Sequence, residues 1–490
     1  MPIDPSSPPR RDSRRIALVL LPITTALFLW LGYQNGLFAL LKPAVTVTGF
    51  FGVDFGLIHR LEGEKRSQAS ALESAIVQEF QAGNPKDAPY YRDGLIAARL
   101  YASYLGAGDP YGLGLLQIAD VYGNKARELG CKDPLIQIIC DVYVYLRKRS
   151  VDLKSFQIQL AHLKAALASG YPAVCKLSNA GAVLRNLANM DTDKPEIAAL
   201  VAGQSPGLAE LAVEQFRAFA ATAPSQSELC RRADILMENM DNNAIALQTA
   251  WPALKDVLTA GKVDPADIAW LQGAYHVDLA WASRGSGWAS TVTREGWRGM
   301  AVQLDLAERI LTEAAREHPD APKLAVKMIT VELGQGRGRA RMEEWFQKAI
   351  AADPDECAAY DRKMYYLQPK WYGSMSDVIA FARTCVATRR WEAGIPMIAL
   401  SGAYEHQSAI IAGPENWAFF ENTAKDILKR YPKSIRYRTQ YLSLAANSGK
   451  WEIAREQLDL LGDDWDRFVL SSSEYNDLNA AIAANAPVPP

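Results

Sequence analysis

The fold of this chain is decided by residues 297–354, which read WRGMAVQLDLAERILTEAAREHPDAPKLAVKMITVELGQGRGRARMEEWFQKAIAADP. Apolar residues recur there every three or four positions, so they line one face of an α-helix. The first of these stripes consists of Met300, Leu304, Ala307, Leu311 and Ala314. Proline lacks an amide hydrogen and ends such a helix, and Pro319 and Pro354 do so 35 residues apart. That interval is typical of a repeated pair of helices.

A four-then-three spacing of small and large residues recurs along the chain. It is found in three triplets: Ala307, Leu311 and Ala314; Met342, Phe346 and Ala349; and Ala454, Leu458 and Leu461. The spacing resembles the tetratricopeptide repeat, in which such residues let the second helix of a pair pack against the first. The resemblance is closest over residues 324–354 and 434–461, and it makes residues 284–296 an insertion between paired helices. It implies an all-α fold, an α-solenoid of tetratricopeptide-like helical hairpins.

Two loops have unusual sequences: Arg-Gly-Ser-Gly-Trp at 284–288 and Pro-Lys-Trp-Tyr-Gly-Ser at 369–374. Together they resemble an uncharacterised bacterial family of helical proteins, known only as a domain of unknown function. That resemblance covers roughly residues 90–410. It implies a helical body and no particular activity.

Length and charge limit the classes of protein to consider. The chain has 490 residues and a formal net charge of −2. This length exceeds one ordinary domain but suits a solenoid, in which each repeat contacts only its neighbours. Because no extended basic patch appears, nucleic acid is not an expected partner.

The N-terminal region has the pattern of a membrane anchor. Residues 16–41 contain no charged side chain, and residues 1–15 carry four arginines. About 20 apolar residues span a bilayer, and flanking arginines stay in the cytoplasm. We therefore predict a cytoplasmic tail at 1–15, a transmembrane helix within 16–41, and a body in the periplasm or outside the cell, anchored in the inner membrane of a bacterium. The alternative is a cleaved signal peptide; Ser13-Arg14-Arg15 hints at a twin-arginine signal, but no small-x-small cleavage site follows the apolar run.

Breaks rich in Gly and Pro divide the rest of the chain. We predict a juxtamembrane linker and helix at 42–89, an N-terminal helical half at 90–262, a repeat half at 263–470 and a C-terminal tail at 471–490. The boundary before residue 263 rests on Asp264 and Pro265, which suit the cap and first turn of a helix. The Ala- and Pro-rich end of the tail, from residue 480, is expected to fray.

The cysteines offer one candidate pair. Cys357 and Cys385 each lie 14 residues from Trp371. If antiparallel helices flank the loop 369–374, the two thiols stand at the same height and a disulfide is possible in an exported protein. The alternative is two small buried side chains, since free cysteines are commonly buried.

The sequence contains no recognisable catalytic, metal-binding or cofactor-binding motif. Gly285-Ser286-Gly287 lacks the Gly-x-Ser-x-Gly spacing of a hydrolase elbow. The glycine-rich turn 334–338 lacks the Lys-Ser/Thr that ends a phosphate-binding loop. No two of the five histidines are four residues apart, so no helix carries a paired metal site. We therefore predict no catalytic residue, no metal ligand and no cofactor.

The loops supply the predicted partner-binding residues, which are Arg284, Trp288, Arg337, Arg339, Trp371 and Tyr372. Large rings beside glycines serve as interface anchors, although loops of repeat proteins also fold back onto their own helices. Loops that join the helices of successive repeats emerge on one edge of a solenoid. We therefore expect the loops 284–288 and 369–374 and the turn 334–338 to form one ridge, with Trp288 and Trp371 near each other.

The pattern as a whole predicts a membrane-anchored scaffold that binds a protein or an extended peptide, in an assembly or adaptor role. The alternative is an enzyme that acts on a cell-envelope polymer, with its site in the solenoid groove. A groove lined by aromatic residues and arginines favours binding. A cluster of carboxylates with raised pKa values in the groove favours the enzyme.

Overall fold

The computed structural model describes residues 63–108, 114–142, 151–223, 225–241, 243–285, 287, 289–404 and 414–485. These residues form 20 α-helices and one short 3-10 helix, and the described ranges contain no strand. The predicted all-α fold is therefore confirmed.

The first ten helices are α1 (Gly63–Gly83), α2 (Tyr91–Ala107), α3 (Leu115–Glu128), α4 (Pro134–Val142), α5 (Leu153–Leu167), α6 (Ala173–Ala188), α7 (Pro195–Ala220), α8 (Gln226–Glu238), α9 (Ala244–Ala260) and α10 (Pro265–Arg284). The 3-10 helix Ala289–Thr291 follows. The other ten are α11 (Arg294–Glu317), α12 (Pro322–Gln335), α13 (Arg339–Ala352), α14 (Cys357–Tyr366), α15 (Met375–Ala387), α16 (Met397–Tyr404), α17 (Pro414–Arg430), α18 (Ile435–Asn447), α19 (Trp451–Leu461) and α20 (Ser472–Asn485).

Helix boundaries within residues 263–470 follow from local capping. Asp264 caps α10 as predicted, since its Oδ1 accepts a hydrogen bond from the amide of Ala266 at 2.8 Å. Thr293 caps α11 through a 3.0 Å bond from the amide of Gly296. Gly336, with φ 65°, ends α12 in the left-handed conformation that glycine favours. The insertion predicted between paired helices is therefore the segment between α10 and α11.

Each helix packs against the next along the chain, and every even-numbered helix from α2 to α20 also packs against the next even-numbered one. We call this continuous series the even-helix row. Contacts between helices two apart place α8, α10, α12 and α14 side by side. Side chains on these four helices therefore share one surface although they come from distant parts of the sequence.

Helix α3 also contacts the segment between α19 and α20, near the C-terminal end of the described residues. The Gln117 side chain on α3 is buried and bonds to the backbone of the segment between α19 and α20. Gly114, at the start of α3, lies so close to Ile435 that a Cβ on this residue would be 2.2 Å from the Ile435 Cδ1. Its φ of 71° also favours glycine. A side chain at position 114 would therefore displace the Ile435 side chain.

The predicted apolar stripes form the core. Every residue of the first stripe is buried, and so is Trp345. Trp297 continues the same spacing toward the N-terminus, which predicts a place in the core, but its side chain is 42% exposed, so this prediction is wrong. It lies in the first turn of α11. The Arg284 guanidinium packs on its ring, 5.4 Å from the centroid.

Three predictions concern the division of the chain: the boundary at 262/263, the fraying from residue 480 and the anchor at 16–41. The helices α9 and α10 pack against each other across the boundary at 262/263, within one compact unit, Leu61–Pro490. The fraying expected from residue 480 is not found up to Asn485, because α20 continues to that residue and buries Ile482. The predicted anchor, 16–41, lies outside the described residues. In the ranges that the structure describes, no helix combines the length and hydropathy needed to cross a membrane.

Candidate partner-binding recess

The loop 369–374 folds back onto the even-helix row. Trp371 lies edge-on to Trp281 of α10, with ring centroids 5.9 Å apart, and 5.8 Å from the ring of Tyr365 on α14. The turn needs a glycine, because a Cβ on Gly373 would be 2.1 Å from the carbonyl oxygen of Leu367. This close backbone contact directs Trp371 toward α10.

Tyr372 joins the same loop to the turn 334–338. Its hydroxyl donates to the carbonyl of Leu333 at 3.1 Å, and its ring lies 4.9 Å from that of Tyr366. A Cβ on Gly336 would be 2.6 Å from the Tyr372 hydroxyl oxygen. The loop 369–374 and the turn 334–338 therefore lie together, as the ridge hypothesis expects. Tyr372 remains 43% exposed.

Arg284 connects the first loop to this region. Its guanidinium lies 5.8 Å from the ring centroid of Trp281 and donates to the carbonyls of Gly285 and Gly287 at 3.0 and 2.9 Å. Since Trp281 contacts Trp371, the two loops are linked through a residue of α10. Trp288 lies outside the described residues, so its expected approach to Trp371 stays a prediction.

The arginines at the turn 334–338 have carboxylate partners within the chain. Arg337 donates to Glu308 at 2.7 Å, and Arg341 donates to the same carboxylate at 2.7 Å. Arg339 donates to Asp377 at 2.7 Å, and this hydrogen bond raises the pKa of the arginine. These pairs join α11, the turn 334–338, α13 and α15. A role of Arg337 and Arg339 in partner binding stays a prediction, and an incoming carboxylate would compete with the pairs.

Beside the ridge is a recess of about 380 Å³ between α10, α12 and α14. Its lining residues are Asp241, Trp281, Ile329, Thr330, Leu333, Arg362, Tyr365 and Trp371. Ile329 and Leu333 form a buried apolar floor, and the three aromatic side chains are half-buried. Asp241 and Arg362 are exposed at the rim. The recess thus combines apolar surface with a few charged groups, which is typical of binding sites.

Three further carboxylates surround this region. Asp234 and Glu238 are one turn apart on α8, and Asp278 is one turn before Trp281 on α10. Burial raises the pKa of each of the three carboxyls. For Asp278 the pKa rises to about 7: burial is the main cause, the negative charges of the neighbouring carboxylates add to it, and Lys327 opposes it. At neutral pH, Asp278 is therefore about half protonated.

Lysines of α12 line the same face. Lys323 forms an ion pair with Asp267, and its ammonium lies 5.3 Å from the ring centroid of Trp270. The Lys327 ammonium lies 5.7 Å from the same ring. The aromatic side chains of α10 thus already hold cations of this chain on their faces.

Sequence reasoning missed the carboxylates of the recess. The sequence does contain a signal for three of them. Asp234, Glu238 and Asp241 follow a four-then-three spacing, which places them on one helical face at and just beyond the end of α8. No local pattern connects them with Asp278, because α8 and α10 meet only through packing. Within the described ranges, no group of three or more His, Cys, Asp or Glu side chains is arranged to hold a metal ion.

Cys357 and Cys385 are free thiols in the structure. Burial raises the pKa of Cys357 to about 11 and that of Cys385 to about 12, and Cys357 contributes to the shift of Cys385. The two side chains are therefore neighbours. Their disulfide in an oxidising compartment stays a prediction.

No protein-family model, curated protein or solved structure matches this chain.

Proposed function

We propose that this protein is a membrane-anchored scaffold, an α-solenoid of tetratricopeptide-like hairpins, whose extracytoplasmic body binds a protein or extended peptide partner. The observation that carries the proposal is the aromatic recess between α10, α12 and α14. Its site is assembled from the even-helix row, as binding surfaces of repeat proteins are.

The packing order supports the solenoid. In a helical-repeat array each helix contacts its sequence neighbours and the equivalent helix of the next repeat. The even-helix row follows this rule from α2 to α20. The capped helix pairs α10 with α11 and α12 with α13 correspond to successive repeats.

The recess has the composition of a partner anchor point. Trp281, Trp371 and Tyr365 offer large rigid rings at little cost in conformational entropy, and such residues dominate binding energies at interfaces. Their half-burial keeps ring surface available to a partner. The buried floor under them makes the geometry rigid, so that little ordering is needed on binding.

The proposal also places residues 16–41 in the membrane and the body outside the cytoplasm. Residues 16–41 are uncharged and follow four arginines. A reporter that is active only in the periplasm, fused after Pro490, tests the topology. Activity of that fusion supports an extracytoplasmic body, whereas activity of only a cytoplasmic reporter contradicts it.

The binding proposal is tested by filling the recess. Thr330→Arg adds a long side chain at the recess, and Val302→Arg adds the same side chain at a 51% exposed position of α11. Both full-length variants and the wild type are purified from native membranes in mild detergent, and co-purifying proteins are quantified by mass spectrometry. Partners that the wild type and Val302→Arg retain and Thr330→Arg loses support the proposal. Identical partner sets for all three contradict it.

The second candidate, an enzyme acting on a cell-envelope polymer, is supported by one observation. The Asp278 carboxyl, with its pKa near 7 beside an aromatic recess, has the protonation state that a general acid needs. The test is release of soluble fragments from purified peptidoglycan by the wild type and by Asp278→Asn. Release by the wild type and its loss in the variant would favour the enzyme over the scaffold.

A further inference from the structure

We propose that a pocket formed by the loops after α1, α3 and α5 binds one ring of a neutral saccharide. We call it the loop pocket; its volume is about 410 Å³, which is within the range of small-molecule sites. Its lining residues are Glu79, Gly83, Asn84, Tyr90, Gly130, Lys132, Asp133, Pro134, Ser169 and Tyr171. It shares no residue with the aromatic recess, so this inference goes beyond the proposed function and is tested separately.

Asp133 holds the three loops together. Its carboxylate accepts hydrogen bonds from the side-chain amide of Asn84 at 2.6 Å and from the hydroxyl of Tyr171 at 2.9 Å. It also accepts from the backbone amide of Leu135 at 2.8 Å, at the start of α4. Burial raises the pKa of this carboxyl, and the hydrogen bonds oppose that effect. Asp133 is thus engaged by the protein itself, and it positions Asn84 and Tyr171 in the pocket wall.

Asn84 presents an unpaired oxygen to the pocket. Its side-chain NH₂ donates to the carbonyl of Phe80 at 2.8 Å and to Asp133, and because both partners are acceptors, the orientation of the amide is fixed. The residue is only 7% exposed, yet its Oδ1 has no hydrogen-bond partner among the described residues. Buried polar atoms are normally hydrogen-bonded, so this oxygen calls for a donor from a molecule in the pocket.

Two further groups of the wall are open. The Oε1 of Glu79 accepts from the backbone amide of Gly170 at 3.0 Å, whereas its Oε2 has no partner within the described ranges. The hydroxyl of Tyr90, on a half-buried ring, likewise makes no hydrogen bond to the part of the chain that the structure describes. Together with Asn84 these side chains supply two acceptors and one group that both donates and accepts.

The charges around the loop pocket are balanced, which favours a neutral ligand. Glu79 and Asp133 contribute two carboxylates. Lys132 lines the pocket as well, and Lys176 lies beside it, donating to the carbonyl of Ser169 at 2.7 Å. A ligand carboxylate or phosphate would face the two carboxylates, and a ligand ammonium would face the two lysines. A hydroxyl carries no charge and both donates and accepts, so it suits each open group of the wall.

A sugar ring fits this pattern better than other neutral ligands. A peptide group offers one donor and one acceptor, whereas a pyranose carries a hydroxyl on most of its carbons and can bond to several walls at once. Its C–H face is apolar and suits the ring of Tyr90. Gly83, Gly130 and Lys132 are exposed at the mouth of the pocket and leave room for further units of a chain.

The probes are the methyl pyranosides of glucose, galactose, mannose and N-acetylglucosamine. Binding to the full-length protein, kept in a detergent without a sugar head group, is measured by saturation-transfer NMR. We expect at least one of these neutral rings to bind with a Kd of about 1–10 mM, as suits a few hydrogen bonds made in competition with water. The amino sugar and the uronate of the same ring should bind severalfold more weakly, because the charges of the pocket are already balanced.

Gly83→Leu tests the location of the site. A Cβ at position 83 would be 3.8 Å from the Asp133 Oδ2, which is an ordinary contact, so the added side chain extends into the pocket without a clash at its base. This variant should lose binding. Gly203→Leu adds the same side chain to α7, where nothing lies within 4 Å of the Cβ, and should bind as the wild type does.

Two milder variants test the open groups. Tyr90→Phe removes only a hydroxyl, and Glu79→Gln replaces a charged acceptor while it keeps the shape of the side chain. Each should weaken binding severalfold, the second because hydrogen bonds to a carboxylate are the stronger ones. Glu214→Gln, at an exposed position of α7, is the matched control and should bind normally. Thermal unfolding verifies that every variant is folded.

Three results would each overturn the inference: no signal from any neutral pyranoside at about 50 mM, tighter binding of a charged counterpart, or equal binding by the wild type and Gly83→Leu. A trisaccharide of the ring that binds distinguishes the source of the ligand. Binding at least as tight as that of the single ring indicates a unit of a polymer, and weaker binding indicates a free sugar. Either result supports a saccharide site, provided that Gly83→Leu abolishes the binding.

Discussion

Gln117 and Trp465 join two segments that are 348 residues apart in sequence: the Gln117 Nε2 donates to the carbonyl oxygen of Trp465 at 2.6 Å. The Oε1 of the same side chain accepts from the amide of Arg467 at 3.1 Å. The buried side-chain amide of Gln117 thus provides a hydrogen-bond partner for two backbone groups, the Trp465 carbonyl and the Arg467 N–H. This contact therefore holds α3 against the segment between α19 and α20.

Removing this side chain should loosen that junction. Gln117→Ala leaves a buried donor and acceptor unpaired, which should lower the free energy of unfolding by about 1–3 kcal/mol for each unsatisfied group. Gln117→Glu keeps an acceptor for Arg467 but loses the donor to Trp465, so we expect an intermediate effect. Urea unfolding gives the stabilities, and hydrogen exchange of residues 463–471 reports the local opening. Unchanged exchange in both variants would show that the contact does not hold the ends together.

Because of the backbone contact at Gly373, we expect Gly373→Ala to lower the free energy of unfolding more than other glycine-to-alanine substitutions do. The Cβ of Gly373→Ala would lie 2.1 Å from the Leu367 oxygen, so the loop 369–374 must shift and Trp371 must move with it. The urea midpoint should fall. Gly203→Ala is the control, because this helical glycine has nothing within 4 Å of the added Cβ and should gain up to about 1 kcal/mol. Equal effects of the two substitutions would argue against the tight loop geometry.

The carboxyl of Asp278 predicts a pH dependence of stability. Its folded-state pKa of about 7 lies above the unfolded value of 3.8, so the folded state binds the proton more tightly. The stability that this provides is fully present below the unfolded pKa and is lost as the pH rises toward about 7. Asp278→Asn should therefore be more stable than the wild type at pH 8, by about 1–3 kcal/mol, and similar to it at pH 4. Urea unfolding at both pH values tests this; a constant difference between the proteins would contradict the assignment.

The contact between Trp281 and Trp371 can be measured directly. Edge-to-face pairs contribute about 0.5–1.5 kcal/mol beyond the area they bury. A double-mutant cycle with Trp281→Leu and Trp371→Leu should give a coupling energy in that range. Partner capture by the same variants separates the roles of the rings. Loss of stability with retained capture would assign the pair to structure, and the converse would assign it to binding.

The thiols of Cys357 and Cys385 remain candidates for a disulfide. Protein purified from its native host without reductant should expose two fewer alkylatable cysteines before reduction than after it. Because their raised pKa values leave little thiolate, bond formation in vitro should be slow. Mass spectrometry after alkylation counts the thiols, and Cys357→Ser should release a free Cys385. Six alkylatable cysteines in the untreated protein would exclude the bridge.

The sequence by itself determined the helices of residues 263–470 and many of their ends. The stripe from Met300 to Ala314 and the cap at Asp264 depend on residues within one or two turns, and these patterns are local. The same locality explains the error at Trp297, whose spacing fits the stripe but whose ring packs against the Arg284 guanidinium and stays 42% exposed. It also explains why the sequence did not indicate that α20 continues past residue 480 to Asn485, since α20 packs against α18 and α19.

Only the tertiary structure decided which helix faces meet. The recess combines Asp241 at the end of α8, Trp281 on α10 and Trp371 beyond α14, and no spacing along the chain relates these three positions. Their approach depends on the packing of helices two apart in the row. The contact of Gln117 with Trp465 depends on how all the helices between them pack. Local patterns specify each helix, but the small angle at every interface sets the position of residues hundreds of positions away.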